Sequence, residues 1–235
     1  MGVNLSTATC FLPFNNSVTE DLVGKTEWEI ANNTNADINC GIVDLLPNLH
    51  TRKSLYLQNL TPSSGPVYVH SNAENTLWNF GTSDFTISFW ARRLSNTYEH
   101  VFFWFPIITF GMIFNVNIGM QVKLNNTVII GSNNNIFGMR FDWHYYALIR
   151  HNGVITLYID GKNIEQYNIG SASVGNNTGE MRIGQSFTSS GDENYCGGCF
   201  FMSEFIIDIG HAYYIDEFTP QSFLNSTIIN NLIVS

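Results

Sequence analysis

The chain has 235 residues, a formal net charge of −9 and 12% charged residues, about half the usual share. With 44% hydrophobic residues it carries enough apolar surface for a sizeable core, which excludes global disorder. The acidic balance, with no basic run, excludes phosphate-backbone binding through counterion release, so nucleic acid is not an expected partner.

The opening "MGVNLSTATC" has neither a basic n-region nor a long apolar h-region. The expectation is therefore cytosolic synthesis without export by the general route. Gly2 and Ser6 fit the N-myristoylation pattern, a motif too short to decide the matter. Val67–His70 is a short strand candidate. "DFTISFWARR" alternates, with Phe85, Ile87, Phe89 and Ala91 on one face and Thr86, Ser88 and Arg92 on the other. Trp90 interrupts the polar face, which predicts that this face is covered as well. The apolar run Val101–Met120 is broken by Pro106, Gly111, Asn115 and Asn117. It reads as two adjacent buried strands, not as a membrane span, and no membrane partner is expected.

Gly119–Leu124 and Thr127–Gly131 are further strand candidates, and Ser132–Asn135 reads as a loop. His144–His151 then leads through Asn152-Gly153, a strong hairpin signal, because a type I′ turn needs positive φ at both central residues. Val154–Asp160 returns, and Asp160-Gly161 turns again into "KNIEQYNI", which predicts a three-stranded meander. Ser171–Glu180 reads as a loop. Near the end, Ile228, Ile229, Leu232 and Ile233 recur at helical spacing, as a short helix packed on the domain or as a tail that docks on a partner. Short β-rich runs separated by Gly, Asn and Ser predict an all-β antiparallel sandwich. One domain is expected at 10–223, with an N-terminal extension at 1–9 and a tail at 224–235.

Four segments, in order, carry a resemblance. They are "CFLPFNNSVTEDLVGKTEW" (Cys10–Trp28), "KSLYLQNLTPSSGPVYVH" through "WNFGTSDFTISFWARR" (Lys53–Arg93), "WHYYALIRHNGVITLYIDGK" (Trp143–Lys162) and "SEFIIDIGHAYYIDEFTPQSF" (Ser203–Phe223). Together they resemble the laminin-G-like group of the concanavalin-A-like family, in the version common in bacteriophage proteins. The resemblance implies a jelly-roll sandwich and a binding or structural module, since this fold hosts many functions. Two departures stand out: "SEFIIDI" is less charged than the family's closing strand, and Val101–Gly111 is unusually aromatic. A covered or oligomeric surface, or particular core packing, would account for both.

No catalytic, cofactor-binding or metal-ligating residue is assigned. "CGGC" (Cys196–Cys199) is followed by a strand pattern and not by the helix a redox C-x-x-C uses, and Cys10 and Cys40 are too isolated to complete a zinc site. The resemblance places the first strand beside the last, which would bring Cys10 towards this pair. Paired carboxylates of the kind glycosidases use are not found, and "IDEF" (Ile215–Phe218) lacks the alternation. The expectation is that the protein is not an enzyme. Calcium is the one cofactor the resemblance admits, with Asp84, Asp160, Asp192 and Glu193 at loop edges. His144 and Arg150 match family positions that serve the scaffold. Sequons such as Asn59-Leu60-Thr61 follow from the abundance of Asn.

The resemblance, the expected cytosolic synthesis and the charge-poor surface point to a non-enzymatic bacteriophage virion protein. A capsid-decorating or accessory module is expected, attached to other virion proteins, in a homo-oligomer, with loops that touch host or mucosal glycans. The alternative is a free-standing, calcium-assisted carbohydrate-binding module or tail-fibre component.

Overall fold

A computed structural model of the chain describes residues 6–14, 17–31, 38–44, 53–59, 67–72, 76–94, 100–115, 119–131, 142–185 and 199–220. Strands occupy the alternating segments, and tight turns occupy the Asn-Gly and Asp-Gly pairs. The strands are β1 (Cys10–Leu12), β2 (Trp28–Ala31), β3 (Ile38–Asp44), β4 (Lys53–Asn59), β5 (Tyr68–Ser71) and β6 (Trp78–Asn79). The long β7 (Phe85–Arg93) is followed by β8 (His100–Phe105), β9 (Phe110–Asn115), β10 (Gly119–Leu124) and β11 (Thr127–Gly131). Then come β12 (His144–His151), β13 (Val154–Ile159), β14 (Lys162–Asn168), β15 (Asn176–Asn177), β16 (Arg182–Ile183) and β17 (Cys199–Ile209). Among the described residues no helix is long and apolar enough to cross a membrane.

Two antiparallel sheets face each other. The first runs β14-β13-β12-β7-β17-β4-β3, with β1 also paired to β17; the second runs β11-β10-β9-β8-β16-β5-β2. The expected all-β sandwich is thus the fold. The meander β12-β13-β14 forms as its turns require: Asn152 and Gly153 have φ of 49° and 80°, and Asp160 and Gly161 have 51° and 78°. The apolar run from Val101 supplies β8 and β9, which pair with each other.

The core lies between the sheets and is built largely of aromatic rings. Phe89, fully buried, packs on Phe102 at 5.4 Å, on Tyr146 at 5.2 Å and on Phe205 at 5.7 Å between ring centroids. Phe80, Phe105 and Phe110 continue the network at 5.1–6.0 Å. This packing accounts for the aromatic excess between Val101 and Gly111. A register shift between Val101 and Phe103 turns both Phe102 and Phe103 inward. Trp104 then faces outward with Val101 and Ile113. It lies flat across Gly111, where an added Cβ would stand 2.3 Å from its Cε3.

Both faces of β7 are covered, as Trp90 in its polar face predicts. Thr86 and Ser88 are fully buried, under the N-terminal segment and an exit segment at 210–220 that folds back over the first sheet. Arg150, also buried, donates to the carbonyls of Gly81 at 3.1 Å, Gly170 at 3.2 Å and Ala172 at 3.0 Å, tying two loops to β12.

One expectation fails on register. β1 does lie beside β17, but Cys10 pairs with Ile207, eight residues along the strand from Cys199, or roughly 26 Å at ordinary strand rise. Cys10 is therefore not a partner for that end of β17. Cys196, Asp192, Glu193 and the helical spacing at 228–233 lie outside the described residues.

Candidate functional site

The acidic residues singled out from the sequence are occupied by the scaffold. Asp84 accepts from the backbone N–H of Asn152 at 3.0 Å and contacts His151 Nδ1 at 3.2 Å. Asp160 accepts from the N–H of Tyr145 at 2.9 Å and meets His144 Nδ1 at 2.6 Å. The two aspartates thus hold opposite ends of β12. Asp208, fully buried on β17, takes hydrogen bonds from Thr7 at 2.8 Å and from the Tyr213 hydroxyl, and pairs with His211 at 2.9 Å. Glu204, four residues earlier on β17, sits buried at the bulge between Ser203 and Ile206, with a φ of 55°. Both outward carboxylates of β17 therefore lie under other parts of the chain. Among the described residues no group of three His, Cys, Asp or Glu side chains could hold a metal ion.

A different arrangement appears on the outer face of the first sheet. Alternation in "SLYLQN" sends Leu55 and Leu57 into the core, both buried, and leaves Tyr56 outward and partly exposed. In β17, Phe200 and Met202 go inward and Phe201 outward; in β7, Ala91 goes inward and Arg92 outward. The register then aligns these outward residues, with Tyr56 opposite Phe201 and Phe201 opposite Arg92. Because His144 pairs with Ala91, Trp143 comes next in the same row.

The side chains meet as the register requires. The Phe201 ring is 5.3 Å from Tyr56 at an interplanar angle of 33°, and 6.1 Å from Trp143 at 32°. The Arg92 guanidinium carbon lies 5.9 Å from the Phe201 centroid. All four side chains are partly exposed. Gln58 accepts a hydrogen bond from the Tyr56 hydroxyl and fixes that ring. Desolvation by burial, and then the nearby Cys199, raise the Tyr56 pKa above its ordinary value. Beyond Tyr56 the row opens over Gly41, its partner on β3, where an added Cβ would meet nothing within 4 Å.

On its inner side the row is bounded by Trp90 and Tyr145, edge to face at 5.3 Å. Then comes the exit segment, whose Tyr214 and Phe218 stack at 3.7 Å. The Phe218 N–H donates to the Gly161 carbonyl at 2.9 Å. Where this segment meets the turn between β13 and β14, an open cavity of about 440 Å³ is lined by Asp160, Lys162, Glu217, Thr219 and their neighbours.

Three tilted rings that lean on one another, with a cation among them, make an apolar ridge with polar edges. Aromatic faces of this kind bind the C–H faces of sugars and the side chains of peptides, while neighbouring polar groups fix orientation. The sequence leads to an expectation of glycan contact through loops and of scaffold roles for His144 and Arg150 in "WHYYALIRHNGVITLYIDGK". Trp143, its first residue, instead belongs to the row. Alternation alone marks Tyr56, Arg92 and Phe201 as outward, but their alignment across strands far apart in sequence is visible only in the fold.

The family model described as the concanavalin A-like lectin/glucanases superfamily matches residues 65–201. No curated protein sequence matches the chain. Among solved structures, the binding domain of botulinum neurotoxin DC in complex with rat synaptotagmin II is similar, with a TM-score of 0.62 and 14% identity over 99% of this chain and 52% of that one. The binding domain of Paraclostridial Mosquitocidal Protein 1 is similar at a TM-score of 0.54 and 19% identity, over 94% and 52%. The chain thus spans about half the length of these toxin domains. Domain 4 of AbnA, an extracellular arabinanase from Geobacillus stearothermophilus, solved with arabinotriose, is similar over 97% of this chain and 98% of its own, with a TM-score of 0.56 and 14% identity.

Proposed function

This chain belongs to the concanavalin A-like lectin/glucanase superfamily, and on that premise we propose that it is a non-enzymatic binding module that recognises carbohydrate through the aromatic row. The observation that carries this reading is the alignment of Tyr56, Phe201, Arg92 and Trp143 on one partly exposed sheet face. Three large rings that keep part of their surface in water, side by side on one sheet face, form an apolar patch of the kind that marks an interaction surface. The fold is that of carbohydrate- and receptor-binding domains, including one solved with arabinotriose, which supports the same reading.

Catalysis is not part of the proposal. Glycoside hydrolysis needs two carboxyl groups flanking one accessible bond, whereas Asp208 and Glu204 are buried and Asp84 and Asp160 are engaged in holding β12. Calcium is not part of it either, because the row needs no metal to present its rings.

The test is a glycan array probed with the intact protein and with Trp143→Ala and Phe201→Ala. Reproducible hits that both variants lose, at unchanged circular dichroism, are the expected result. Hits that neither variant affects, or no hits at all, would overturn the assignment of the row. The biological setting we propose is the bacteriophage virion, as an accessory or capsid-decorating protein, on the strength of the motif set "FGTSDFTISFW" and "LYIDG". Mass spectrometry of purified virions that finds the chain at stoichiometric abundance would support that setting, and its absence from them would contradict it.

A further inference from the structure

We infer that the site is an extended one that takes a linear, uncharged oligosaccharide, laid across the strands from Tyr56 to the cavity beside Asp160; this rests on the carbohydrate reading above. β4, β17, β7, β12 and β13 are consecutive neighbours in the first sheet. Each contributes a group to one line. Tyr56, Phe201 and Arg92 come from the first three, Trp143 directly precedes β12, and the turn after β13 supplies Asp160. Four strand spacings span roughly 19 Å, far more than one sugar ring covers. A monosaccharide would stack on one ring and leave the others wet, whereas a chain crossing the strands meets each in turn.

The cavity continues the row. Asp160 accepts from the N–H of Tyr145 and meets His144 Nδ1, so its carboxylate stands beside the backbone next to Trp143. The Asp160 side chain is 44% exposed and keeps acceptor capacity for a ligand hydroxyl. Lys162, Glu217 and Thr219 add a donor, an acceptor and a hydroxyl around the same 440 Å³ space. Stacking at one end and hydrogen bonding at the other are the two kinds of contact a sugar chain offers.

Two features decide the ligand class. A peptide that adds to a sheet does so along an edge strand, through unpaired backbone groups. This row instead crosses the interior of the sheet, where the strands are already paired on both sides. An acidic chain is disfavoured by the protein's net charge of −9, because along the site Arg92 and Lys162 only balance Asp160 and Glu217 and leave no cation in excess to hold it. An uncharged saccharide satisfies both conditions.

The experiment is calorimetric titration of the intact protein with ladders of neutral gluco-, xylo-, manno- and arabino-oligosaccharides from one to six units, and with uronic-acid and sialylated chains. Affinity should rise with length in at least one neutral ladder and level off near about four units, one per strand spacing. The gain from two units to four should be about tenfold or more. Tyr56→Ala and Glu217→Ala, at opposite ends, should each weaken the tetrasaccharide about tenfold, with thermal melts unchanged. Equal affinity for one unit and six, still lost in Trp143→Ala, would overturn the extended site and leave the carbohydrate reading standing. Tighter binding of the acidic chains would overturn the uncharged ligand class. Binding of no saccharide of any length would overturn both readings together.

Discussion

Replacing Arg150 with methionine separates a scaffold residue from a catalytic or ligand-binding one. Methionine keeps the apolar stem and removes the guanidinium, taking its donors from the carbonyls of Gly170 and Ala172 and from that of Gly81, which keeps only the Val174 N–H. A hydrogen bond from a charged donor contributes about 1.5–3 kcal/mol net, so three would sum to more than 4. Against this stands the cost of holding the guanidinium out of water, seen in the lowering of the Arg150 pKa by desolvation, which the Asp84 carboxylate partly opposes. The net loss should be about 3 kcal/mol. A chain of this size loses roughly 2–4 °C of Tm per kcal/mol, so the midpoint should fall by about 6–12 °C. Differential scanning calorimetry and urea melts measure the loss, and glycan titration below the new midpoint measures function. The reasoning requires a large drop in stability with binding retained. A midpoint within about 2 °C of the parent, or lost binding at full stability, would refute it and move Arg150 into the site.

The other predictions concern the exit segment, pH and metal. Gly161→Ala puts a Cβ 1.7 Å from the Phe218 carbonyl oxygen at a φ of +78°; the conformational and steric costs together should reach about 2–4 kcal/mol. Amide exchange at Phe218 should accelerate, and protection unchanged from the parent would contradict the contact. Burial pushes the Cys40 thiol from 9.0 up to about 12, and raises Cys10, Tyr145 and Tyr146 in the same direction. Above pH 9 the unfolded chain therefore loses protons that the native state keeps. Stability is full below pH 9 and falls above it, by about 1.4 kcal/mol per pH unit for each such thiol. Urea melts from pH 7 to 11 should show this decline, with a shallower slope in Cys40→Ala; a flat profile would contradict the burial. Because Asp84 and Asp160 are engaged in holding β12, glycan binding should be unchanged by a chelator, and its loss would point to a bound calcium ion.

Local chemistry made much of the fold legible in the sequence. Asn152-Gly153 and Asp160-Gly161 admit the positive φ that their turns adopt, and period-two alternation in β7 fixes which residues enter the core. Trp90 in the polar face signalled a second covering layer, which the exit segment and the N-terminal segment supply. The row was not legible, for a physical reason. Tyr56, Phe201 and Arg92 each follow from alternation, but their alignment depends on the register of β17 against β4 and β7. That register is set by core packing across strands distant in sequence and is interrupted by the bulge at Ser203 and Ile206, which no local signal announces. The same long-range register separated Cys10 from Cys199, although the adjacency of β1 and β17 was expected.

The central claim is that recognition occurs on a sheet face and not at the loops. Backbone amide chemical shifts, followed during titration with the tetrasaccharide that binds most tightly, test it directly. The largest changes should fall at Tyr56, Arg92, Trp143 and Phe201, with a second group at Asp160 to Lys162. Changes confined to loops such as 171–175, with the row unaffected at saturation, would contradict the claim.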